Sequence, residues 1–340
     1  MKARRVIRPL RAAAVLTIAL GLLWPAATLA KTPRFELPLD CREGCYVQNF
    51  VDRDPSKEYK DHRCGSLTYD GHKGTDLRIS GIEAMERGVA VLAAASGIVS
   101  VARDGLPDVH FKLFGRAVIN DKGLGNVVQI DHGDGWQTIY AHMRRGSVLV
   151  KKGQRIKTGQ PIGLIGLSGL TEFPHVHFGV KLRGHVVDPF IGPTKTKSCK
   201  IRGVPMWNRA ALAKLQYRRS FVIAAGFANK KLTREAMLYG FGAKKRLPRN
   251  SRNLLYHIDF AGIYSGDGYQ IRIIGPDGKA IFDKSGVFKK STAVRFIYGG
   301  KSDRTIPWKP GIYRGEFRLF REQGKQRQNL LKVDRQIEIR

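Results

Sequence analysis

Residues 126–142 run Asn126-Val127-Val128-Gln129-Ile130, then a Gly133-Asp134-Gly135 turn, then Thr138-Ile139-Tyr140-Ala141-His142. Short apolar runs on either side of a glycine-rich turn read as β-strands. The same texture extends from Arg34 to about Asp188. Strands are expected at 89–95, 97–102, 148–150 and 161–165, with Lys152-Gly153 and Thr158-Gly159 as turns. No long stretch holds a helical period, so this domain is expected to be dominated by β-structure.

At 340 residues the chain has room for two domains, and 42% hydrophobic content is ample for buried cores. A polar break follows at 192–205. Short helices are predicted at 207–218 and 232–238, the latter opened by Thr233 ahead of Glu235. Strands then return at 254–263, 269–274, 279–283, 293–298, 311–320 and 331–339, with Pro276-Asp277-Gly278 closing a hairpin. Six short strands over this span imply a small Ig-like β-sandwich. It carries only His257 and no catalytic motif, which makes it an accessory domain. The expected division is 1–30 signal peptide, 31–68 cysteine-containing segment, 69–199 first β domain, 200–252 linker with short helices, and 253–340 sandwich.

Lys2, Arg4, Arg5, Arg8 and Arg11 precede the uncharged apolar run 12–24, and Ala26-Ala27-Thr28-Leu29-Ala30 follows. That order is a secretory signal cleaved after Ala30. The run falls short of the roughly 20 residues that span a bilayer, so no stable membrane span is expected after cleavage. Removing the five basic residues lowers the net charge from +32 to +27. Such a charge implies a polyanionic neighbourhood, and export argues against nucleic acid as the partner. Anionic envelope polymers, acidic peptides and lipid head groups remain. Cys41, Cys45, Cys64 and Cys199 in an exported chain favour two disulfides over a zinc site, because paired CxxC units are absent. Three pairings are open, and one bridge is expected to staple Cys199 back to the N-terminal region.

Histidine carries the chemical signal. His72-Lys73-Gly74-Thr75-Asp76 would place His72, Gly74 and Asp76 on one face of an extended segment, with Gly74 leaving space for a metal. His175-Val176-His177-Phe178 has the same period, so both histidines project to one side and Val176 and Phe178 to a core. Imidazoles and a carboxylate are what a catalytic zinc site takes, with one position left for water. His72, Asp76 and one histidine of the pair would serve as ligands, leaving the other and His142 to handle protons. No HExxH helix supplies a glutamate base, so a histidine must do that work. His132 reads as structural, His185 as solvent-facing, Tyr140 as packing or positioning His142, and Tyr69 as core packing. Nothing is assigned to His62 or His110.

Taken together, His72-Lys73-Gly74-Thr75-Asp76, Tyr140-Ala141-His142 and His175-Val176-His177-Phe178 resemble the three motifs of the M23 peptidases, the lysostaphin-like zinc endopeptidases. The rhythm of Gly153, Gly159, Gly163, Gly166 and Gly169 and the downstream Asp188-Pro189 also follow that family, so the likeness covers roughly 69–190. The resemblance implies an antiparallel β-sheet M23 domain with zinc on His72, Asp76 and His177, and catalytic histidines at His142 and His175. It implies a secreted, periplasmic endopeptidase acting on the stem peptides or cross-bridges of peptidoglycan. The rival is a non-catalytic wall-binding protein that activates other hydrolases, as some relatives that have lost ligands do; every expected ligand stands in this chain. A protein partner for the sandwich is left open, as are the bond cleaved, the oligomeric state and whether an inhibitory segment covers the site. Three features depart from the family pattern: Leu170-Thr171-Glu172-Phe173-Pro174 replaces a glycine-rich approach, 105–121 is an insertion, and the Cys41-Cys45-Cys64 region is extra. Glu172 and Phe173 would reshape one wall of the cleft.

Overall fold

Gly133, Asp134 and Gly135 all adopt positive φ, at 85°, 54° and 83°, and so turn the chain between strands Asn126–Gly133 and Trp136–Met143. Only glycine, and to a lesser degree aspartate or asparagine, enters that region cheaply, which is why this triplet closes the hairpin. The computed structural model describes residues 32–340 except 43, 115–121, 241–243, 303, 304, 306 and 325. The expected signal at 1–30 lies outside the described residues.

In chain order the first strands are β1 (Tyr46–Asn49), β2 (Thr75–Arg78), β3 (Ala90–Leu92), β4 (Gly97–Arg103), β5 (Asn126–Gly133), β6 (Trp136–Met143), β7 (Arg155–Ile156), β8 (Pro161–Leu164), β9 (His175–Leu182) and β10 (His185–Val186). One antiparallel sheet runs β1-β2-β9-β6-β5-β4-β7, with β10 on β9, while β3 and β8 pair separately. Residues 148–150 do not form the expected strand; one backbone bond, Leu149 N–H to the Ile162 carbonyl at 3.1 Å, is what that segment gives β8.

The second half supplies β11 (Phe221–Ala228), β12 (Arg246–Leu247), β13 (Leu254–Ile263), β14 (Gly268–Ile274), β15 (Ala280–Val287), β16 (Thr292–Lys301), β17 (Gly311–Gln323) and β18 (Gln326–Ile339). A three-stranded sheet β11-β13-β16 faces a five-stranded sheet β12-β18-β17-β14-β15. Phe227, Tyr256, Ile258, Phe260, Phe317 and Ile337 fill the core of this sandwich. All its pairings are antiparallel except β12 with β18. Pro276-Asp277-Gly278 closes β14 onto β15 as expected, Gly275 N–H bonding the Lys279 carbonyl at 2.8 Å.

The stretch 200–252, read as a linker with short helices, also contains β11. Its run Phe221-Val222-Ile223-Ala224-Ala225-Gly226-Phe227-Ala228 has no alternation, and a short apolar run gives no period to separate strand from helix. The helices are shorter than predicted. With α1 at Ile82–Arg87 and α2 at Phe111–Phe114, α3 spans Arg209–Lys214 and α4 spans Arg234–Leu238. Asn208 and Thr233 cap the last two, accepting from Ala211 N–H at 2.8 Å and Ala236 N–H at 3.1 Å. With 45% of the described residues in strands and 7% in helices, the structure is mainly β. Among the described residues no helix is long and apolar enough to cross a membrane.

The cysteine-bearing segment braces this assembly. Disulfides join Cys41 to Cys45 and Cys64 to Cys199. Closing a loop as long as the second removes about 5 kcal/mol of freedom from the unfolded chain in the entropic account. Two buried aspartates hold the segment. Asp52 accepts from the N–H groups of Asp54, Lys60 and Gly71, and Asp61 from those of Arg63, Gly65 and Leu67 and from the Tyr217 hydroxyl.

Asp188 is buried too, but less well satisfied: Oδ1 accepts from Phe190 N–H at 2.9 Å, while Oδ2 has no partner among the described residues. Burial pushes its carboxyl up to about 7, against the pull of Phe190 N–H and Arg53. The group is then protonated in the fold and ionised in the unfolded chain across the interval between. Its contribution to stability is fully present below the unfolded value of 3.8 and is lost as pH rises through about 7. Denaturant titrations should show Asp188→Asn flattening the loss of stability between about pH 4.5 and 7.5 relative to wild type. Parallel pH profiles for the two proteins would sink this assignment.

Candidate active site

Four strands deliver one row of side chains. Asn49 pairs with Asp76, Asp76 with His177, and His177 with Ala141 across β1, β2, β9 and β6. Directly paired residues share a face of the sheet, and His175, two before His177, lies on it too. Val176 and Phe178 point to the other face and are fully buried, the division the two-residue period predicts.

His72 reaches the row differently. The extended segment begins only at Thr75, and His72 sits before it, its N–H bonded to the Tyr69 carbonyl at 3.0 Å. The expectation of one extended segment through 72, 74 and 76 is therefore corrected: the strand covers 75–78, and His72 and Gly74 lie before it, with a bend at Gly74. Gly74 does need to be glycine, but the group it makes room for is a ring. A Cβ there would lie 2.5 Å from His177 Nε2 and 2.9 Å from the Phe178 carbonyl oxygen.

His142 follows Ala141, so regular strand geometry would turn it to the opposite face. Instead its φ is 61°, and its ring centroid comes within 4.8 Å of His175 and 5.9 Å of His177. A non-glycine residue in this region costs on the order of 1 kcal/mol or more and is held only where the surroundings insist. Backbone bonds from His142 N–H to Leu124 and from Gly166 N–H to the His142 carbonyl, at 2.9 and 3.1 Å, provide that restraint.

At the centre Asp76 Oδ1 lies 3.1 Å from His72 Nε2, 2.9 Å from His177 Nδ1 and 3.4 Å from His175 Nε2. Its other oxygen accepts from Asn49 Nδ2 at 2.8 Å. Backbone carbonyls take the outer nitrogens: Phe50 faces His72 Nδ1 at 2.7 Å, Ser168 faces His142 Nδ1 at 2.8 Å, and Phe173 faces His175 Nδ1 at 2.8 Å. A carbonyl only accepts, so each Nδ1 carries the hydrogen and each Nε2 presents a lone pair inward. Neither Asn49 nor these carbonyls is visible as a motif; a polar residue ending Tyr46-Val47-Gln48-Asn49 is the one faint sign.

Burial alone would raise the Asp76 carboxyl, but the neighbouring imidazoles of His72, His175 and His177 hold it well below the carboxylate range. Burial pushes His142 well below the usual imidazole value, reinforced by His175 and His177, and lowers His177 against the pull of Asp76. Burial would lower His72 as well, yet Asp76 outweighs it and the net shift is upward. The site thus favours positive charge beside Asp76 and keeps His142 neutral.

Two triads could hold a metal, His72-Asp76-His177 and His142-His175-His177, each with donor atoms within 4.8 Å of one another. The first has the N and O donors of a zinc site. Its separations of 3.1, 2.9 and 3.3 Å compare with the ~3.4 Å between donors arranged tetrahedrally at about 2.1 Å from zinc. A neutral His72 would also turn a lone pair on the Asp76 carboxylate, an arrangement that calls for a cation or proton between them.

The remaining candidates sort clearly. His132 uses both nitrogens, on the Ser96 carbonyl at 2.7 Å and Thr138 Oγ1 at 2.8 Å, a structural placement. Tyr140 is fully buried on Phe178, its hydroxyl bonding Ala94 N–H, and His185 is exposed. Tyr69 departs from expectation: it is 49% exposed and lies on the His72 ring at 4.4 Å, because it faces the site's mouth and not the core. His62 stacks on Phe190, and His110 is buried 3.9 Å from Glu235. The cysteines are all disulfide-bonded, which removes them as metal ligands.

Gly74→Ala should displace the His177 ring at a cost of about 1–3 kcal/mol from overpacking. Thermal denaturation and histidine-ring NMR would read this. A variant with wild-type stability and unshifted His177 signals would contradict the crowding.

Residues 70–189 match the model of peptidase family M23. The peptidoglycan DD-endopeptidase ShyA of Vibrio cholerae is 34% identical over 117 residues, 34% of this chain and 22% of that protein. The murein hydrolase activator NlpD of Escherichia coli is 31% identical over 119 residues, 35% of this chain and 25% of its own. The chain thus spans a quarter or less of the length of either relative. The catalytic domain of the antimicrobial peptidase lysostaphin from Staphylococcus simulans shows 26% identity and a TM-score of 0.27 over 35% of this chain and 77% of that one.

Proposed function

Taking residues 70–189 as an M23 peptidase domain, we propose that the protein is a zinc-dependent endopeptidase cutting stem peptides or cross-bridges of peptidoglycan in the periplasm. The observation that carries this reading is the convergence of His72, Asp76 and His177 donors with His142 and His175 close by. His72, Asp76 and His177 would hold the zinc, the triad with the carboxylate being preferred because a cation there offsets the buried charge. When bound, zinc polarises a scissile carbonyl and acidifies water.

The chain's own residues do the rest. Asn49 holds Asp76 from behind, and the Phe50 carbonyl keeps the His72 lone pair inward. His142 is neutral by burial and presents Nε2, so it can accept a proton from attacking water. His175, in the same tautomer, presents an Nε2 lone pair; once that nitrogen has taken up a proton it can hydrogen-bond the developing oxyanion or pass the proton to the leaving amine. The net charge of +27 left after removal of the five basic residues of the signal from +32 favours dwell time on an anionic wall at low salt.

Similarity to a murein hydrolase activator supports a second reading, in which the domain binds and regulates without cleaving. The complete histidine set favours catalysis. Residues 31–340, zinc-loaded and incubated with purified peptidoglycan, should release soluble muropeptides and new amino groups. Chelation or Asp76→Ala should abolish release. His142→Ala should retain zinc and lose about 100-fold or more in rate. No release by folded, zinc-loaded protein, with stimulation of another hydrolase, would favour the activator reading.

A further inference from the structure

His175 is set from one side by a single short segment. Its Nδ1 faces the Phe173 carbonyl at 2.8 Å and Thr171 Oγ1 at 3.2 Å, and the Phe173 ring lies 4.5 Å from its own. The Thr171 hydroxyl donates to the same carbonyl at 3.0 Å, which leaves the imidazole to donate there too. Residues 171–173 therefore decide both the plane and the tautomer of His175. This is also where the chain replaces a glycine-rich approach by Thr171-Glu172-Phe173.

The segment is gripped from outside the peptidase sheet. Glu172 lies 2.6 Å from Lys112 on α2 and 3.6 Å from Arg234 on α4. Arg234 in turn donates through Nε to Asp259 Oδ2 at 2.9 Å, and Asp259 belongs to β13 of the sandwich. On the other face of Phe173 sits the buried guanidinium of Arg78, 4.6 Å from the ring centroid. A cavity of about 40 Å³, room for a water or two, lies among Arg78, Glu172, Phe173, Arg234 and Asp259. Arg78 Nε and Asp259 Oδ1 have no partner among the described residues.

Burying charge at this junction is a poor way to stabilise it. Desolvation offsets much of the Coulomb gain, and apolar side chains of similar volume do as well or better. What charged pairs supply is direction: they fix where Glu172, and with it the carbonyl of Phe173, must lie. We propose that Arg234 is a positioning residue for His175, so that docking of the β-sandwich completes the catalytic site of the peptidase domain. This rests on the peptidase reading for its kinetic consequence, though not for its structural one.

The test uses zinc-loaded residues 31–340. Arg234→Gln should lower kcat on peptidoglycan fragments about tenfold through misplacement of His175. KM should change by less than about twofold, because no substrate contact is removed. Zinc content should not change, and Arg234→Lys should recover most of the loss. Glu172→Gln should give a similar loss, with the double variant no worse than either single one. In histidine-labelled protein, nitrogen shifts of His175 should move from the Nδ1–H pattern toward a mixture of tautomers in Arg234→Gln. Arg246→Gln is the control, since it removes an exposed pair with Glu338 at 2.7 Å, and should leave every readout unchanged. Wild-type kcat with unmoved His175 signals in Arg234→Gln would overturn the proposal. So would equal losses in Arg246→Gln, or a loss explained by lower stability and zinc content alone. If wild-type protein cleaves nothing, the peptidase reading fails, and the His175 ring shifts still decide the positioning claim.

Discussion

The buried carboxylate of Asp76 is the constraint around which the first domain is organised. A carboxylate removed from water must be surrounded by donors or a cation, or it is lost as a proton. Here Asn49, His72, His175 and His177 converge on it from β1, the turn before β2, and β9. The register of the sheet matters to that need: a one-residue slip of β9 against β2 would carry both of its histidines to the core face and leave Asp76 with only Asn49 and His72.

Outward from that point, the rings of His72, His142 and His175 each depend on a backbone carbonyl, and each carbonyl on its own scaffold. Phe50, which fixes His72, belongs to the cysteine-bearing segment. Its ring packs against His62, Phe190 and Tyr217 at 4.8–5.2 Å, and Asp61 and the Cys64–Cys199 bridge hold the surrounding turns. The extra N-terminal region therefore acts as a brace for a candidate ligand. Ser168 plays the same part for His142, and its hydroxyl also bonds the Met143 carbonyl at 2.6 Å, tying the two chains on either side of the strained His142 backbone.

The sandwich is joined to this system and does not hang from it. Phe221 of β11 and Ala261 of β13 are counted in the same apolar cluster as Phe178 and Trp207 of the first domain, and Tyr46 of β1 meets Phe221 at 4.7 Å. A continuous apolar contact supplies the adhesion. The charged residues beside it, Arg78, Arg234 and Asp259, line a small cavity with Glu172 and Phe173, next to His175.

Local pattern in the sequence determined a good deal. Short apolar runs between turn residues placed β5, β6 and six of the sandwich strands, and the two-residue period placed the start of β9, because these signals are written residue by residue. The glycine-bracketed Asp134 placed the hairpin, and three histidine-bearing motifs named the side chains that meet. Tertiary structure alone decided the rest. The strand β11 carries no period, so only its pairing with β13 defines it. Tyr69 reads as an apolar packer, and exposure at the mouth depends on chains distant in sequence. His142 lies on the wrong face for a regular strand, and its left-handed backbone exists only because Leu124 and Gly166 hold it. The carbonyls of Phe50, Ser168 and Phe173 have no side-chain signature at all. Periodicity and residue type are local properties and can be read along a chain, whereas register, backbone strain and the partner of a carbonyl are set by how separate segments meet in the fold.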